Sequence, residues 1–221
     1  MIACGVVVLF IMASAVADDK PSDPIWPDTW QMEFHEDLYL PVLGTHHTSG
    51  LFTYDYPSGR YRIYREDGHY DRYCGLNGLK IFSSNKCAQY VSEGDRYLYY
   101  PDDDECCYCC SAEHGCGILK PDWMKGATFI DEESYQSLYG SGEAYKWDQK
   151  GLQDNFYYET IGKENNMRIM LEINQVPDDI QYFDPTTFTT KVDTSILDLP
   201  AKCSKKNACS WISTCHAVGE P

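Results

Sequence analysis

Five of the 11 cysteines fall between Cys106 and Cys116, and no other feature constrains the fold as much as the run Cys106-Cys107-Tyr108-Cys109-Cys110. Adjacent cysteines point in different directions, so Cys106 and Cys107 are expected to reach different partners. The two residues between Cys107 and Cys110 suggest a zinc knuckle, but these thiols interleave too tightly to converge on one tetrahedral centre. Disulfides are the better reading. The start of the chain supports it: an apolar run from Val6 to Met12 leads to Ala15-Val16-Ala17, with small residues where a signal peptidase reads. That pattern predicts a secretory signal over residues 1–17 and a mature chain from Asp18. Cys4 leaves with the signal, and ten cysteines remain: Cys74, Cys87, Cys106, Cys107, Cys109, Cys110, Cys116, Cys203, Cys209 and Cys215. An even number in an oxidising pathway fits full pairing, each bridge contributing roughly 2–4 kcal/mol mainly by restricting the unfolded chain. Spacing does not reveal who pairs with whom.

Charge narrows the partners. Lysine and arginine total 18 against 34 aspartates and glutamates, a net charge of −16. A nucleic-acid binder needs a basic stripe to displace phosphate counterions, and a cationic membrane anchor needs a basic face; neither is present. Beyond the leader, nothing approaches the roughly 18 apolar residues of a membrane-spanning helix. A hydrophobic content of 43% with 14% aromatics is too high for a disordered acidic chain.

The patterning is that of strands. Polar and apolar residues alternate over Trp30–His35, Glu143–Asp148 and Met167–Ile173. Leu51–Tyr56 and Arg60–Arg65, joined by Pro57-Ser58-Gly59, predict a β-hairpin, and Glu66-Asp67-Gly68 a further turn leading into His69–Cys74. Cys87–Val91, Asp95–Tyr100, Asn155–Ile161 and Asp179–Phe183 are further strand candidates. The 18 tyrosines suit pleated surfaces, where a ring packs and a hydroxyl reaches water. The expected organisation is a single all-β domain over residues 18–203, a Cys-containing tail over 204–221, and a loop or short helix inserted between Tyr100 and Trp123.

Little points to catalysis. There is no G-x-S-x-G elbow, no H-E-x-x-H and no phosphate-binding loop. His46 and His47 sit among Thr45, Thr48 and Ser49 in what reads as a loop, where imidazoles could bind metal or act as bases; solvated histidines are the simpler account. The four carboxylates Asp102, Asp103, Asp104 and Glu105 repel one another and would lose that strain on a hard cation, so weak Ca²⁺ binding is expected there, at about 10⁻⁴–10⁻³ M as in extracellular modules. Asp178 and Asp179 form a weaker candidate. The large inward residues Trp30, Met32, Phe34, Tyr61, Ile63, Tyr145, Trp147, Ile169 and Leu171 would line an apolar cleft if a curved sheet surrounds them, or fill a core if a second sheet covers them.

The order Trp30, Tyr54-Asp55-Tyr56, Arg60-Tyr61-Arg62, Pro121-Asp122 with Ala127, Gly140-Ser141-Gly142, Trp147, Asp184-Pro185-Thr186-Thr187-Phe188 and Pro200-Ala201-Lys202-Cys203 resembles ependymin-related proteins over most of residues 26–203. That resemblance implies a secreted, disulfide-bonded chain with a curved antiparallel sheet, or half-barrel, like that of bacterial lipoprotein carriers, holding a hydrophobic-ligand pocket and associating with Ca²⁺. The sequence departs from the family pattern in three ways: no cysteine precedes Trp30, the block Cys106–Cys116 is additional, and Asn-x-Ser/Thr glycosylation sites are missing. Neither family disulfides nor calcium ligands carry over.

The expected protein is therefore secreted and non-enzymatic, binding a lipid or other hydrophobic molecule on a concave apolar face, with an extracellular adhesive module and a secreted hydrolase as alternatives. Its thiols should all be paired. Labelling under denaturing, non-reducing conditions is expected to find no reactive thiol in the mature chain, and uptake of several labels would contradict the disulfide reading.

Overall fold

A computed structural model describes residues 20–150, 155–162, 167–175 and 179–217. Residues 1–19, which hold the expected signal and its cleavage point, lie outside the described residues, as does Asp178. Among the described residues eleven strands run β1 (Thr29–Leu40), β2 (Gly44–Asp55), β3 (Arg60–Arg65), β4 (Cys87–Ser92), β5 (Asp95–Tyr100), β6 (Glu105–Ser111), β7 (Thr128–Ser137), β8 (Gly140–Asp148), β9 (Asn155–Thr160), β10 (Met170–Gln175) and β11 (Asp179–Phe183). They form one sheet in the order β6-β5-β4-β3-β2-β1-β11-β10-β9-β8-β7, which does not close on itself. Every neighbouring pair is antiparallel. The chain thus starts mid-sheet, meanders to one edge, crosses to the opposite edge, and meanders back to lie beside its first strand.

Local chemistry explains the turns. The Pro57-Ser58-Gly59 triplet closes the β2–β3 hairpin with Gly59 at φ +68°. Between β4 and β5 the two-residue loop Glu93-Gly94 takes φ of +54° and +83°, the doubly left-handed geometry that matches strand twist. The alternation expected over Trp30–His35 extends through all of β1, placing Trp30, Met32, Phe34, Glu36 and Leu38 on one buried face.

Opposite residues in an antiparallel pair share a face, so rows can be followed across the sheet. Trp30, Tyr54, Tyr61, Val91 and Arg96 make one row, and Met32, Phe52, Ile63, Gln89 and Leu98 the next. Arg96 on β5 and Tyr157 on β9 wall the same cavity although six strands lie between them, so the sheet curls around its inner face. Segment 117–127, on the crossing from β6 to β7, roofs that face: Tyr54 Oη donates to the Leu119 carbonyl at 2.7 Å and Trp26 N to the Pro121 carbonyl at 3.0 Å.

The ten cysteines among the described residues are all bridged, as Cys74–Cys87, Cys106–Cys203, Cys107–Cys209, Cys109–Cys215 and Cys110–Cys116, and none of them is left as a thiolate for a zinc knuckle. Cys106 and Cys107 do reach different partners.

Several expectations need correcting. The stretch Tyr100–Trp123 is not only loop, because Glu105–Ser111 is strand β6 and its four cysteines are buried on both faces by the loops and tail they tie down. His46 and His47 lie on β2, where the turn Pro41-Val42-Leu43 lets the β1 ladder continue to Gly44. Strand β7 was not anticipated; as an edge strand carrying exposed Asp131 and Glu132 and half-buried Glu133, it lacks an apolar alternation to read. His69–Cys74 is a series of turns.

Gly50 is where β2 passes under the Phe34 ring. A Cβ there would run into that ring and the Tyr64 carbonyl oxygen. Gly50→Ala is expected to cost about 1–3 kcal/mol through overpacking, read as a lowered urea midpoint with unchanged slope.

Candidate functional site

The inner face has two chemical halves. Toward the start of β1 it is aromatic: Trp26 meets Trp30, Phe52, Tyr54 and Trp123 edge-on at centroid distances of 5.2, 6.0, 5.5 and 5.3 Å. Trp30, Met32, Phe34, Trp147 and Ile169 are buried in this core, with Tyr145 packed against it. Trp147 Nε1 donates to Glu159 Oε1 at 3.0 Å, and Arg168 Nε pairs with the same oxygen at 3.0 Å, so the polar tip of the tryptophan is satisfied.

Toward the far end of β1 the face becomes ionic. Glu36 is wholly buried and accepts from Arg65 Nε at 2.5 Å, Arg65 Nη2 at 2.6 Å and Gln181 Nε2 at 2.6 Å. Asp71 Oδ2 lies 3.4 Å from Arg65 Nη2, while its Oδ1 accepts from the backbone of Tyr73 and Cys74 and from Gln89 Nε2. Burial opposes the charge on Arg65, but Asp71 and Glu36 outweigh it and the guanidinium stays charged. Asp179 completes the group. Burial, and after it the Glu36 carboxylate, raise its pKa well above the usual range against the pull of Arg65, which favours the protonated form beside Glu36.

Between the halves lies a cavity of about 360 Å³. Trp26, Phe52, Tyr61, Ile63, Trp123 and Tyr157 form its apolar walls; Arg65, Asp71, Arg96 and Asp179 form its polar end. Four buried atoms of the lining residues, Arg65 Nη1, Arg96 Nε, Trp123 Nε1 and Asp179 Oδ1, have no hydrogen-bond partner. Three are donors, which suits a ligand rich in acceptors at one end.

Of the pocket residues expected from sequence, Tyr61 and Ile63 line this cavity, whereas Trp30, Met32, Phe34, Tyr145, Trp147 and Ile169 belong to the packing beside it. Leu171 goes elsewhere: a register shift between Met170 and Glu172 turns it away, into a shallow depression with Tyr135, Tyr139 and Pro185. Trp26 and Trp123 were missed because neither lies on a strand, although each is an aromatic within two residues of a proline.

The acidic run is engaged by lysines. Lys80 pairs with Asp103 at 2.8 Å and Glu105 at 3.0 Å, Lys86 with Asp102 at 3.7 Å, and Lys202 with Asp104 at 2.6 Å. Among the described residues these carboxylates do not gather into a group of three ligand atoms. The histidines do gather. His35, Asp37 and His47 meet on the outer face, and His46, Asp67 and His69 on the inner one. Burial, and then the neighbouring His69, lower the pKa of His46, so its ring is neutral at pH 7.

No protein-family model and no curated protein matches the chain. Among solved structures, an uncharacterized conserved protein from Thermus thermophilus is similar to it at a TM-score of 0.44 and 8% identity, over 80% of this chain and 89% of that one.

The buried carboxyl group carries a pH signature. An acid whose pKa is raised on folding holds more protons folded than unfolded, so stability falls as pH rises from about 4 toward the raised value. Asp179→Asn keeps a neutral hydrogen-bonding side chain and is expected to flatten that fall. Urea denaturation across a pH series measures it, and identical slopes in both proteins would mean that Asp179 is ionised in the fold.

Proposed function

We propose that this is a secreted, non-enzymatic carrier that binds an amphiphilic ligand in the inner-face cavity, the apolar body against Phe52, Trp123 and Tyr157 and an acceptor-rich head toward Arg65 and Arg96. One observation carries the reading: a cavity of about 360 Å³ whose walls are aromatic and whose polar end holds buried donors without partners. Its size falls in the roughly 300–1,000 Å³ range of small-molecule sites. The resemblance to ependymin-related proteins leads to the same ligand class. Five disulfides fit an oxidising compartment, and no helix among the described residues is long and apolar enough to cross a membrane. The acidic run, with its lysine partners, has no part in this reading.

A second reading, an extracellular adhesive module, draws on Phe82 and Trp211, which are 78% and 83% exposed.

A fluorescent fatty acid should bind the intact protein at one site. Trp123→Ala, at a half-buried position whose loss the fold can tolerate, is expected to weaken binding by about tenfold, an apolar contact worth roughly 1–2 kcal/mol. Phe82→Ala should leave it unchanged. A wild type that binds no apolar or amphiphilic probe, and that carries none when native mass spectra are taken from its own source, would reject the carrier in favour of the adhesive module.

A further inference from the structure

We propose that His46, Asp67 and His69 form a binding site for a divalent transition ion, with Zn²⁺ the best match, independent of the cavity ligand. The three come from different places. His46 projects from β2 on the face of Leu38, and Asp67 and His69 lie in the turn that follows β3. Their ligand atoms lie within 4.8 Å of one another: His69 Nδ1 is 2.6 Å from Asp67 Oδ1, and His46 Nε2 is 3.6 Å from Asp67 Oδ2. Nitrogen and oxygen ligands about 2.0–2.1 Å from a tetrahedral zinc stand roughly 3.3 Å apart, so the three need only small adjustments to converge.

The arrangement is held from outside, as metal ligands commonly are. Asp67 N donates to Thr48 Oγ1 at 3.0 Å, and its carboxylate accepts from Ser84 Oγ at 2.6 Å and from the backbone of His69 and Asn85, each at 3.2 Å. Burial disfavours the Asp67 charge, but these hydrogen bonds outweigh it and keep the carboxylate ionised. The Cys74–Cys87 bridge and the Gly68 N to Asn85 carbonyl bond at 2.7 Å close the loop behind it. The imidazoles of His46 and His69 pack edge-on at 4.3 Å, with Tyr70 against both.

What singles this cluster out is His46 Nε2, a buried nitrogen with no hydrogen-bond partner that faces the Asp67 carboxylate. The outer cluster lacks that feature. There, His35 Nε2 and His47 Nδ1 both reach Asp37 Oδ1, at 3.1 and 2.6 Å, and His47 is 61% exposed. Two imidazoles and one carboxylate suit a borderline ion such as Zn²⁺, whereas calcium prefers an all-oxygen shell. Binding through His69 Nδ1 would place the ring's single proton on Nε2, exchanging the Nδ1 contact with Asp67 for the ion, and leave a fourth position for water or an exogenous donor.

Titration calorimetry of the intact, disulfide-bonded protein with ZnCl₂ is expected to show one tight equivalent, accompanied by a rise in Tm. His46→Ala and His69→Ala should each weaken it by at least the roughly 10- to 100-fold that loss of a supporting partner costs. His47→Ala should not. X-ray absorption of the zinc-loaded wild type supplies a readout that needs no variant: a shell of nitrogen and oxygen with two imidazoles and no sulfur. Absence of a tight equivalent, equal affinity in all the variants, loss that follows His47 instead of His46, or a shell without two imidazoles would each overturn the proposal.

Discussion

The bidentate contact between Arg65 and Glu36 organises the inner face. Both groups are buried, and two charges taken out of water that far are tolerated only with good geometry and with their remaining hydrogen-bonding capacity largely met. That requirement explains the neighbours: Asp71 as second counter-ion, Gln181 as a further donor to Glu36, Gln89 holding Asp71, and Asp179, whose charge burial and the Glu36 carboxylate disfavour. Removing one partner of such a pair commonly costs about 3–5 kcal/mol. The ionic cluster also sets the limit of the aromatic core, and the cavity lies where the two kinds of packing meet and neither fills the space.

An open sheet has two edges, and the molecule treats them differently. At β7 the edge strand carries the consecutive carboxylates Asp131, Glu132 and Glu133 on its two faces, charges that discourage another strand from pairing there. At β6 the tail itself covers the edge. Tyr108 N donates to the Asn207 carbonyl at 2.7 Å and Cys209 N to the Tyr108 carbonyl at 2.9 Å, while three bridges from Cys106, Cys107 and Cys109 fasten residues 203–215 alongside. The dense cysteine run is thereby explained: successive residues of one strand point to opposite faces, and the tail wraps both.

Much of this could be read from residues alone where burial is one-sided. β1 shows period-two alternation because one face is buried and the other meets water, and the β2–β3 hairpin is announced by its Pro57-Ser58-Gly59 turn. β6 escaped because cysteine is apolar on either face, and β7 because its inward side is only half-buried and a register shift between Phe129 and Asp131 interrupts its period. The aromatic list pointed to the correct side of the sheet in Trp30, Met32, Phe34, Tyr61, Ile63, Tyr145 and Trp147, but periodicity cannot say which large side chains fill space and which border it. That depended on Trp26 and Trp123, brought in by chain crossings. Leu171 was misplaced by a bulge, which sequence does not announce, and the histidine clusters depend on a turn meeting a distant strand.

The pairing of the first strand with the last has a kinetic consequence. Phe34 lies opposite Phe183, so the seam at the middle of the sheet joins residues from the two ends of the domain. Each meander can form from local contacts as it is synthesised, but β1 keeps a bare edge until β11 arrives. Contacts of such long sequence separation make folding slow. During that delay a strand that presents Trp30, Met32, Phe34 and Leu38 on one face stays open to wrong partners, so chaperone attendance in the cell should centre on β1, and the yield of recombinant protein should depend more on how long that edge waits than on how stable the finished fold is.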